Sequence, residues 1–201
     1  MDSYATEVGR FTGTKIHVFG FDSCKGLPPP EDYRDLPRFF KAGFYPMDAP
    51  NLKGRLRNGT LILGDVRATV RELVENRADT LRAAPIGFLA FDLDYWSSTL
   101  AAFDVLRGDA AVCLPRITCY FDDIVETIED VGELRAIRDF NEESHGRRMR
   151  PPHALRRRLP FEPNWADGIF EAHLFDHADY NTFLADPDAE AEHVPELSDG
   201  W

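Results

Sequence analysis

Short apolar runs and helical apolar stripes alternate along the first two thirds of the chain. Four apolar runs rich in β-branched or aromatic residues predict strands at residues 15–22, 60–65, 86–94 and 116–124. Between and after them, apolar residues spaced three or four apart predict helices at residues 69–76, 98–106 and 131–143. Apolar strands separated by helices are typical of a sheet covered on both faces. The pattern therefore predicts a doubly wound, mostly parallel α/β sheet.

Less regular segments accompany this pattern. Residues 36–45 are predicted as a short helix, the arginine-rich residues 147–158 as an exposed loop, and residues 165–180 as a final strand. Beyond residue 185 the chain is acidic and contains no Lys or Arg, which predicts a loosely ordered tail at residues 185–201. Residues 1–184 are predicted to form a single domain.

Composition narrows the classes of partner. The 201-residue chain has a formal net charge of −12, which disfavours nucleic acid as a ligand because phosphate binding needs positive potential. No apolar run reaches the roughly 20 residues of a membrane-spanning helix, so no membrane partner is expected. Cys24, Cys113 and Cys119 lack the spacing of a metal site, which is typical of reduced thiols. These features predict a cytoplasmic protein that binds a small molecule.

The most informative regularity is that all four predicted strands end in aspartate. In open α/β sheets, ligands bind outside the carboxyl ends of the strands, so these groups are expected to meet at one crevice. Several carboxylates at one rim repel each other unless a cation offsets them, and oxygen-only ligands favour magnesium. Alternatively, each aspartate caps a helix or starts a loop. The aspartates are Asp22, Asp65, the pair Asp92 and Asp94, and the pair Asp122 and Asp123.

Four segments in this order resemble the macrocin O-methyltransferase family of S-adenosylmethionine-dependent enzymes. They are VFGFDSCKGLPPP, LILGDVRATV, IGFLAFDLDYWSST and TCYFDDIV, and the resemblance covers about residues 15–141. FDSCKGLP is similar to the family's Asp-Ser-Phe-x-Gly-Leu-Pro, and DLDYWSST to its Asp-x-Asp-x-Tyr-x-Ser-Thr. Tyr95 lies one position earlier than the family's tyrosine. The resemblance implies the Rossmann-like fold of class I methyltransferases.

The same resemblance implies a set of roles. In the family, magnesium binds hydroxyls of the acceptor sugar, and the activated oxygen attacks the sulfonium methyl group. The implied function is S-adenosylmethionine-dependent, Mg²⁺-assisted O-methyl transfer to a sugar or a glycosylated small molecule. The residues implied are Asp22, Ser23, Gly64 and Asp65 for the methyl donor, Asp92, Asp122 and Asp123 for magnesium, and Asp94 as catalytic base or additional ligand.

One feature of the family is not found in this sequence: a strand leading into a glycine-rich GxGxG turn against the donor's methionine part. In the family, that strand lies between the counterparts of residues 15–22 and 86–94. Three arrangements are therefore possible: the sheet lacks its first strand, it pairs those two segments directly, or it takes a strand from another chain. The third arrangement would be a homo-oligomer. Two functional alternatives follow. One is an inactive or truncated methyltransferase-like binding protein, and the other is a metal-dependent glycosyltransferase that uses the DxD of residues 92–94.

Overall fold

The architecture was taken from a computed structural model that describes residues 2–124, 130–153, 155, 160–161 and 163–182. The predicted tail at residues 185–201 lies outside these residues. None of the described helices combines the length and apolar character needed to span a bilayer. The described helices are α1 (Asp2–Thr12), α2 (Ala49–Arg55), α3 (Val66–Ala83), α4 (Trp96–Ala102) and α5 (Gly132–Glu143). The described strands are β1 (Val18–Asp22), β2 (Gly59–Leu63), β3 (Ile86–Phe91), β4 (Cys113–Phe121), β5 (Arg147–Arg150) and β6 (Ile169–Leu174).

The described strands form two sheets. β1 and β2 pair in parallel as a two-stranded sheet. The second sheet has the order β3-β4-β6-β5, in which β3 and β4 are parallel and β6 is antiparallel to both of its neighbours. The mixed α/β class is thus confirmed, whereas the predicted single sheet is divided in two. Within the described residues β1 does not pair with β3, so direct pairing of these two strands is wrong.

The four strands predicted from apolar runs are confirmed. β1, β2 and β3 are shorter than predicted, whereas β4 has the predicted nine residues but begins and ends three residues earlier. The predicted helices correspond to α3, α4 and α5. α3 is 18 residues long: Asp65 caps its start, and the helix continues past a kink at Arg77. α4 is followed by a 3₁₀ turn at Phe103–Leu106. The final predicted strand is confirmed as the shorter β6.

Two predictions along the chain were wrong. Residues 36–45 form turns instead of a helix, and both Leu36 and Tyr45 have left-handed backbone angles, with φ of 52° and 58°, that a right-handed helix cannot contain. The predicted arginine-rich loop begins with a strand, β5, which pairs with β6. The Arg147 side chain is mostly buried and pairs with Asp176 at 2.7 Å. This pair lets an arginine occupy a strand position.

The hydrophobic core lies between the four-stranded sheet and helices α4 and α5. It is built on aromatic rings: Phe91 stacks on Phe121 with 4.7 Å between ring centroids, and Phe103 meets both Phe91 and Phe140 edge to face. Phe21 of β1 packs against the edge of the same cluster. The end of β1 is therefore held near the end of β3, although the two strands belong to different sheets.

β3 is far less covered than its apolar sequence predicts. Phe91 is the one residue of β3 that is buried, and the Phe88 side chain is 47% exposed. A strand in the middle of a parallel sheet would be covered on both faces and paired on both edges. β3 pairs with β4 alone, so its other edge has no strand beside it within the described chain.

Candidate functional site

Carboxylates from the ends of three strands form one group, here called the acidic rim: Asp22, Asp92, Asp94, Asp122 and Asp123. Asp22 ends β1, Asp92 and Asp94 follow β3, and Asp122 and Asp123 follow β4. Although Asp92 is exposed, desolvation by the surrounding chain and the charges of Asp122 and Asp22 raise its pKa. Asp22, Asp122 and Asp123 thus lie close enough to Asp92 or Asp94 for their charges to act on those two carboxyl groups.

The segment after β3 is a tight turn that begins α4. Asp94 has a left-handed backbone with φ of 57°, and the Tyr95 N–H donates to the Leu93 carbonyl. This conformation is strained for a residue with a side chain, and such strain is common at functional sites. Burial, with the charges of Asp123, Asp92 and Asp122, raises the pKa of Asp94 to about 7. Asp94 can therefore exchange a proton near neutral pH.

The segment after β4 supplies the other acidic pair. The Tyr120 hydroxyl donates to Asp122 Oδ1 at 2.7 Å, and this bond to the carboxylate helps raise the pKa of Tyr120 to about 12. Asp122 is exposed, whereas Asp123 is half-buried and its backbone N–H donates to Glu133 Oε2 at 3.3 Å. The two acids of this pair therefore have different surroundings.

Glu133, in the first turn of α5, is an acid of the site that sequence analysis missed. Its side chain is 1% exposed, and its two oxygens accept the backbone N–H groups of Leu93 and Asp123, each at 3.3 Å. Burial, followed by the charge of Asp123, raises the pKa of Glu133 to about 8. The helical apolar pattern placed Glu133 outside the inward stripe. The available signal was its place in the first helical turn, where side chains can accept loop N–H groups.

The predicted donor-binding residues shape the turns after β1 and β2. Asp22 Oδ1 accepts the Cys24 N–H, and the Ser23 hydroxyl donates to the Gly26 carbonyl at 3.0 Å. Gly64 donates its N–H to the Asp22 carbonyl at 2.9 Å, so the ends of β1 and β2 meet. Asp65 caps α3 by accepting the Arg67 N–H at 2.9 Å. The helix-cap alternative is thus confirmed for Asp65.

The segment between β1 and α2 is fastened beside the rim by a buried aspartate that sequence analysis also missed. Asp35 is fully buried and accepts the Ser97 N–H at 2.8 Å, the Ser97 hydroxyl at 2.9 Å and the Glu31 N–H at 2.7 Å. The Arg34 guanidinium lies 3.3 Å from the Trp96 ring centroid, as in a cation–π contact. These contacts hold the segment against the start of α4.

Tyr95 lies beneath this segment at the floor of the rim. Phe40 packs edge to face on its ring with 6.1 Å between centroids. Its hydroxyl is buried and has no hydrogen-bond partner within the described chain. Burial, with the charges of Asp35 and Asp94, raises the pKa of Tyr95. Next to Asp94, the chain is therefore anchored by a buried, neutral aromatic contact.

The oxygen atoms of the acidic rim are the kind of ligand that a hard cation prefers. The described side chains, however, are not arranged to bind one. The acids offer only oxygen ligands, as Mg²⁺ prefers, and desolvation together with the charges of neighbouring carboxylates raises the pKa of Asp92 and Asp94. However, no three Asp, Glu, His or Cys side chains of the described residues are arranged to hold a metal ion. Asp122 instead bonds to Tyr120.

Comparison with known protein families, curated proteins and solved structures gave no match to this chain. The sequence motifs of residues 15–141 and the acidic rim are therefore the features that bear on its function.

Gly132 makes a close approach that can be tested by substitution. Its φ is +56°, and a Cβ built on it would lie 3.1 Å from the Asp94 carbonyl oxygen. Gly132→Ala is therefore expected to lower the free energy of unfolding by about 1 to 2 kcal/mol, measured by urea denaturation. Gly54→Ala in α2, where a Cβ meets nothing, serves as control and should be neutral or stabilising. Equal stability of Gly132→Ala and the parent would contradict the expected clash.

Proposed function

We propose that this protein is an S-adenosylmethionine-dependent, Mg²⁺-assisted O-methyltransferase that acts on a hydroxyl of a sugar or a glycosylated small molecule. The observation that carries the proposal is the acidic rim. The charges of Asp22 and Asp122 help raise the pKa of Asp92, and those of Asp123, Asp92 and Asp122 help raise the pKa of Asp94, although these residues come from separate parts of the chain. In the family that the motifs resemble, the matching positions bind the methyl donor and the metal.

On this proposal, Asp92, Asp122 and Asp123 hold the cation. Bound magnesium would supply charge that stabilises a deprotonated acceptor hydroxyl. The cation would replace the Tyr120 hydroxyl as the partner of Asp122. Asp94 would accept the hydroxyl proton, and its raised pKa of about 7 supports that role because a base that titrates near the working pH is the most effective.

Asp22 and Ser23 would bind the donor at the neighbouring end of β1. A carboxylate can accept hydrogen bonds from both ribose hydroxyls, which supports Asp22 as the ribose partner. Gly64 would allow the chain to approach the adenine ring closely, and Asp65 would act through the start of α3, which it caps. The methyl donor and the acceptor would then meet between the ends of β1 and β3.

A methyltransferase-like binding protein without activity is the second candidate. The specific observation in its favour is that β1 and β3 lie in separate sheets, where the family places its donor-binding strand between them. The glycosyltransferase alternative would use Asp92 and Asp94 to hold a metal-bound nucleotide diphosphate. These candidates differ in the small molecule they bind, so a binding measurement separates them.

Calorimetric titration with S-adenosylmethionine in the presence of Mg²⁺ tests the proposal. We expect binding by the parent and at least tenfold weaker binding by Asp22→Asn, which keeps one side-chain oxygen for the Cys24 N–H. Asp48→Asn, an exposed helix cap distant in sequence, is the matched control and should bind as the parent does. Absence of heat with millimolar donor would contradict the methyltransferase, and heat with a uridine diphosphate sugar and Mn²⁺ would favour the glycosyltransferase.

A further inference from the structure

The four-stranded sheet has one buried face and one accessible face. Alternate residues such as Ile117 of β4, Met149 of β5 and Ala172 of β6 are buried in the core that the sheet shares with α4 and α5. The residues between them are exposed or half-buried. Because successive side chains of a strand point to opposite faces, these residues share the second face. That face is therefore accessible to a ligand.

Basic residues lie side by side on the accessible face. Arg116 of β4 is opposite His173 of β6, and His173 is opposite Arg148 of β5. We call these three residues the basic row. Arg150 lies two positions further along β5 on the same face. Side chains at directly opposed positions start about 5 Å apart. The long arginine side chains on either side of His173 can therefore reach one shared ligand.

The accessible face carries more positive than negative charge, although the chain has a formal net charge of −12. The three arginines on this face have no carboxylate partner within the described chain. By contrast, Arg147 on the other face of β5 pairs with Asp176 at 2.7 Å. Among the strand residues of the accessible face the acid is Glu171, whose Oε2 lies 3.7 Å from His173 Nε2. Neighbouring like charges repel each other, and a bound anion would relieve that repulsion.

Tyr180 holds two members of the basic row in place. Its hydroxyl oxygen lies 2.8 Å from Nδ1 of His173. The Arg116 guanidinium lies 4.3 Å from the centroid of the Tyr180 ring and donates to the Tyr180 carbonyl at 3.4 Å. A guanidinium has five N–H donors, so this bond leaves others for an anion. Side chains that are fixed before binding lose less entropy when a ligand arrives.

A cleft of about 820 Å³ lies between α5 and β5. Arg148 and Arg150 line this cleft, so it adjoins the basic row. Apolar side chains line it as well, among them Leu134, Ile137 and Met149. Clefts of this volume, with apolar walls and a few polar groups, are typical of small-molecule sites. The cleft therefore offers space for the organic part of an anionic ligand.

Other polar groups of the cleft are already engaged or face solvent. The Asn141 side chain accepts the Met149 N–H at 2.7 Å and donates to the Met149 carbonyl at 2.9 Å. Because these backbone groups are occupied, β5 cannot pair there with a further strand. Asp130 forms an ion pair with Arg138, and Glu142 on α5 is exposed. The two arginines of β5 are therefore the groups left to bind a ligand.

We propose that the basic row and the adjoining cleft bind a small organic molecule that carries a phosphate group. Arg116 and Arg148 would donate to the phosphate oxygens, and the organic part would occupy the cleft. Guanidinium groups suit this role because they are always charged and their planar N–H donors match phosphate oxygens. The site is separate from the acidic rim, since Arg116 lies six residues, or about 20 Å of extended strand, before Asp122. It does not depend on the proposed methyl transfer.

Titration with phenyl phosphate, followed by NMR of the backbone amides, tests the site. We expect the signals of Arg148 and His173 to shift in the parent. Arg148→Gln should bind about tenfold more weakly because a charge-assisted hydrogen bond is lost. Arg148 has no ion pair in the described part of the chain, so the variant should fold as the parent does. Arg55→Gln removes the same charge at the exposed end of α2 and should bind like the parent.

Inorganic phosphate distinguishes the contribution of the row from that of the cleft. It should shift the same signals with lower affinity, because it leaves the cleft empty. Equal affinities for inorganic and phenyl phosphate would overturn the role of the cleft. Unshifted signals in the parent at millimolar phenyl phosphate, or equal weakening by Arg148→Gln and Arg55→Gln, would overturn the site. If Arg148→Gln does not fold, Arg150→Gln on the same face provides the same comparison.

Discussion

Asp35→Ala is expected to lower the free energy of unfolding by about 3 to 5 kcal/mol, the largest effect among the single substitutions considered. The Asp35 carboxylate is fully buried and accepts three hydrogen bonds, two of them from Ser97. Alanine would leave buried donors without an acceptor, which costs more than the lost bonds alone. The same change would release the segment between β1 and α2 from the start of α4. Urea denaturation followed by circular dichroism measures the loss.

Two controls separate this effect from the removal of any aspartate. Asp35→Asn keeps one acceptor oxygen and is expected to lose about half as much stability as Asp35→Ala. Asp48→Ala removes an exposed cap that accepts the Asn51 N–H at 3.1 Å, and about 1 kcal/mol is expected. If Asp35→Ala and Asp48→Ala lost the same amount, the three bonds of Asp35 would not fasten the segment as described.

The elements of the α/β core could be predicted because their sequence pattern is local. A strand such as β3 is apolar over its whole length, and a helix such as α5 has apolar residues on one stripe. Once these strands were predicted to be parallel, the aspartates that follow β1, β3 and β4 could be expected to converge, because parallel strands bring their carboxyl ends to one edge. Asp65 could not be separated from them, because a helix cap and a ligand have the same residue type.

The pairing of the strands depends on contacts distant in sequence. The apolar run of β3 has the composition of a strand covered on both faces, but composition does not specify its neighbours, and Phe88 is left half exposed. Arg147 was predicted in a loop because its charge disfavours a strand, and its pairing with Asp176 changes that preference. The turns at residues 36–45 likewise depend on Leu27, whose carbonyl accepts the Gly43 N–H at 2.8 Å.

Asp35 and Glu133 could not be found by sequence pattern for a common reason. An acidic residue is normally exposed, so a pattern analysis assigns it to the surface. In this structure both acids are buried because backbone N–H groups of other segments surround their oxygens. The partners of Asp35 include Ser97, 62 residues away, and those of Glu133 include Leu93, 40 residues away. Such partnerships arise only when the chain has folded.

The pH dependence of stability is the second large effect. Burial raises the pKa of Glu133 to about 8 and that of Asp94 to about 7, from ordinary values of 4.5 and 3.8. The folded protein therefore holds these protons more tightly than the unfolded chain does. Their contribution to stability is fully present below about pH 4 and is lost as the pH rises through 7 and 8. Other carboxylates have lowered pKa values, among them Asp32, Asp109 and Asp176. Their contribution to the stability of the folded protein is present at neutral pH and is lost in acid.

The free energy of unfolding is therefore expected to be greatest near pH 5 and to fall by a few kcal/mol at pH 8.5, measured by urea denaturation at each pH. The charges nearest Glu133 are Asp123 and Asp92, both acidic, so no base holds it ionised. Glu133→Gln cannot lose a proton and should show a flatter fall, whereas Glu142→Gln should keep the parent's slope. An equal fall in Glu133→Gln and the parent would contradict a raised pKa at Glu133.

Added Mg²⁺ should partly restore the free energy of unfolding at pH 8.5 if the acidic rim binds the ion, because the ion binds the ionised carboxylates of the folded protein.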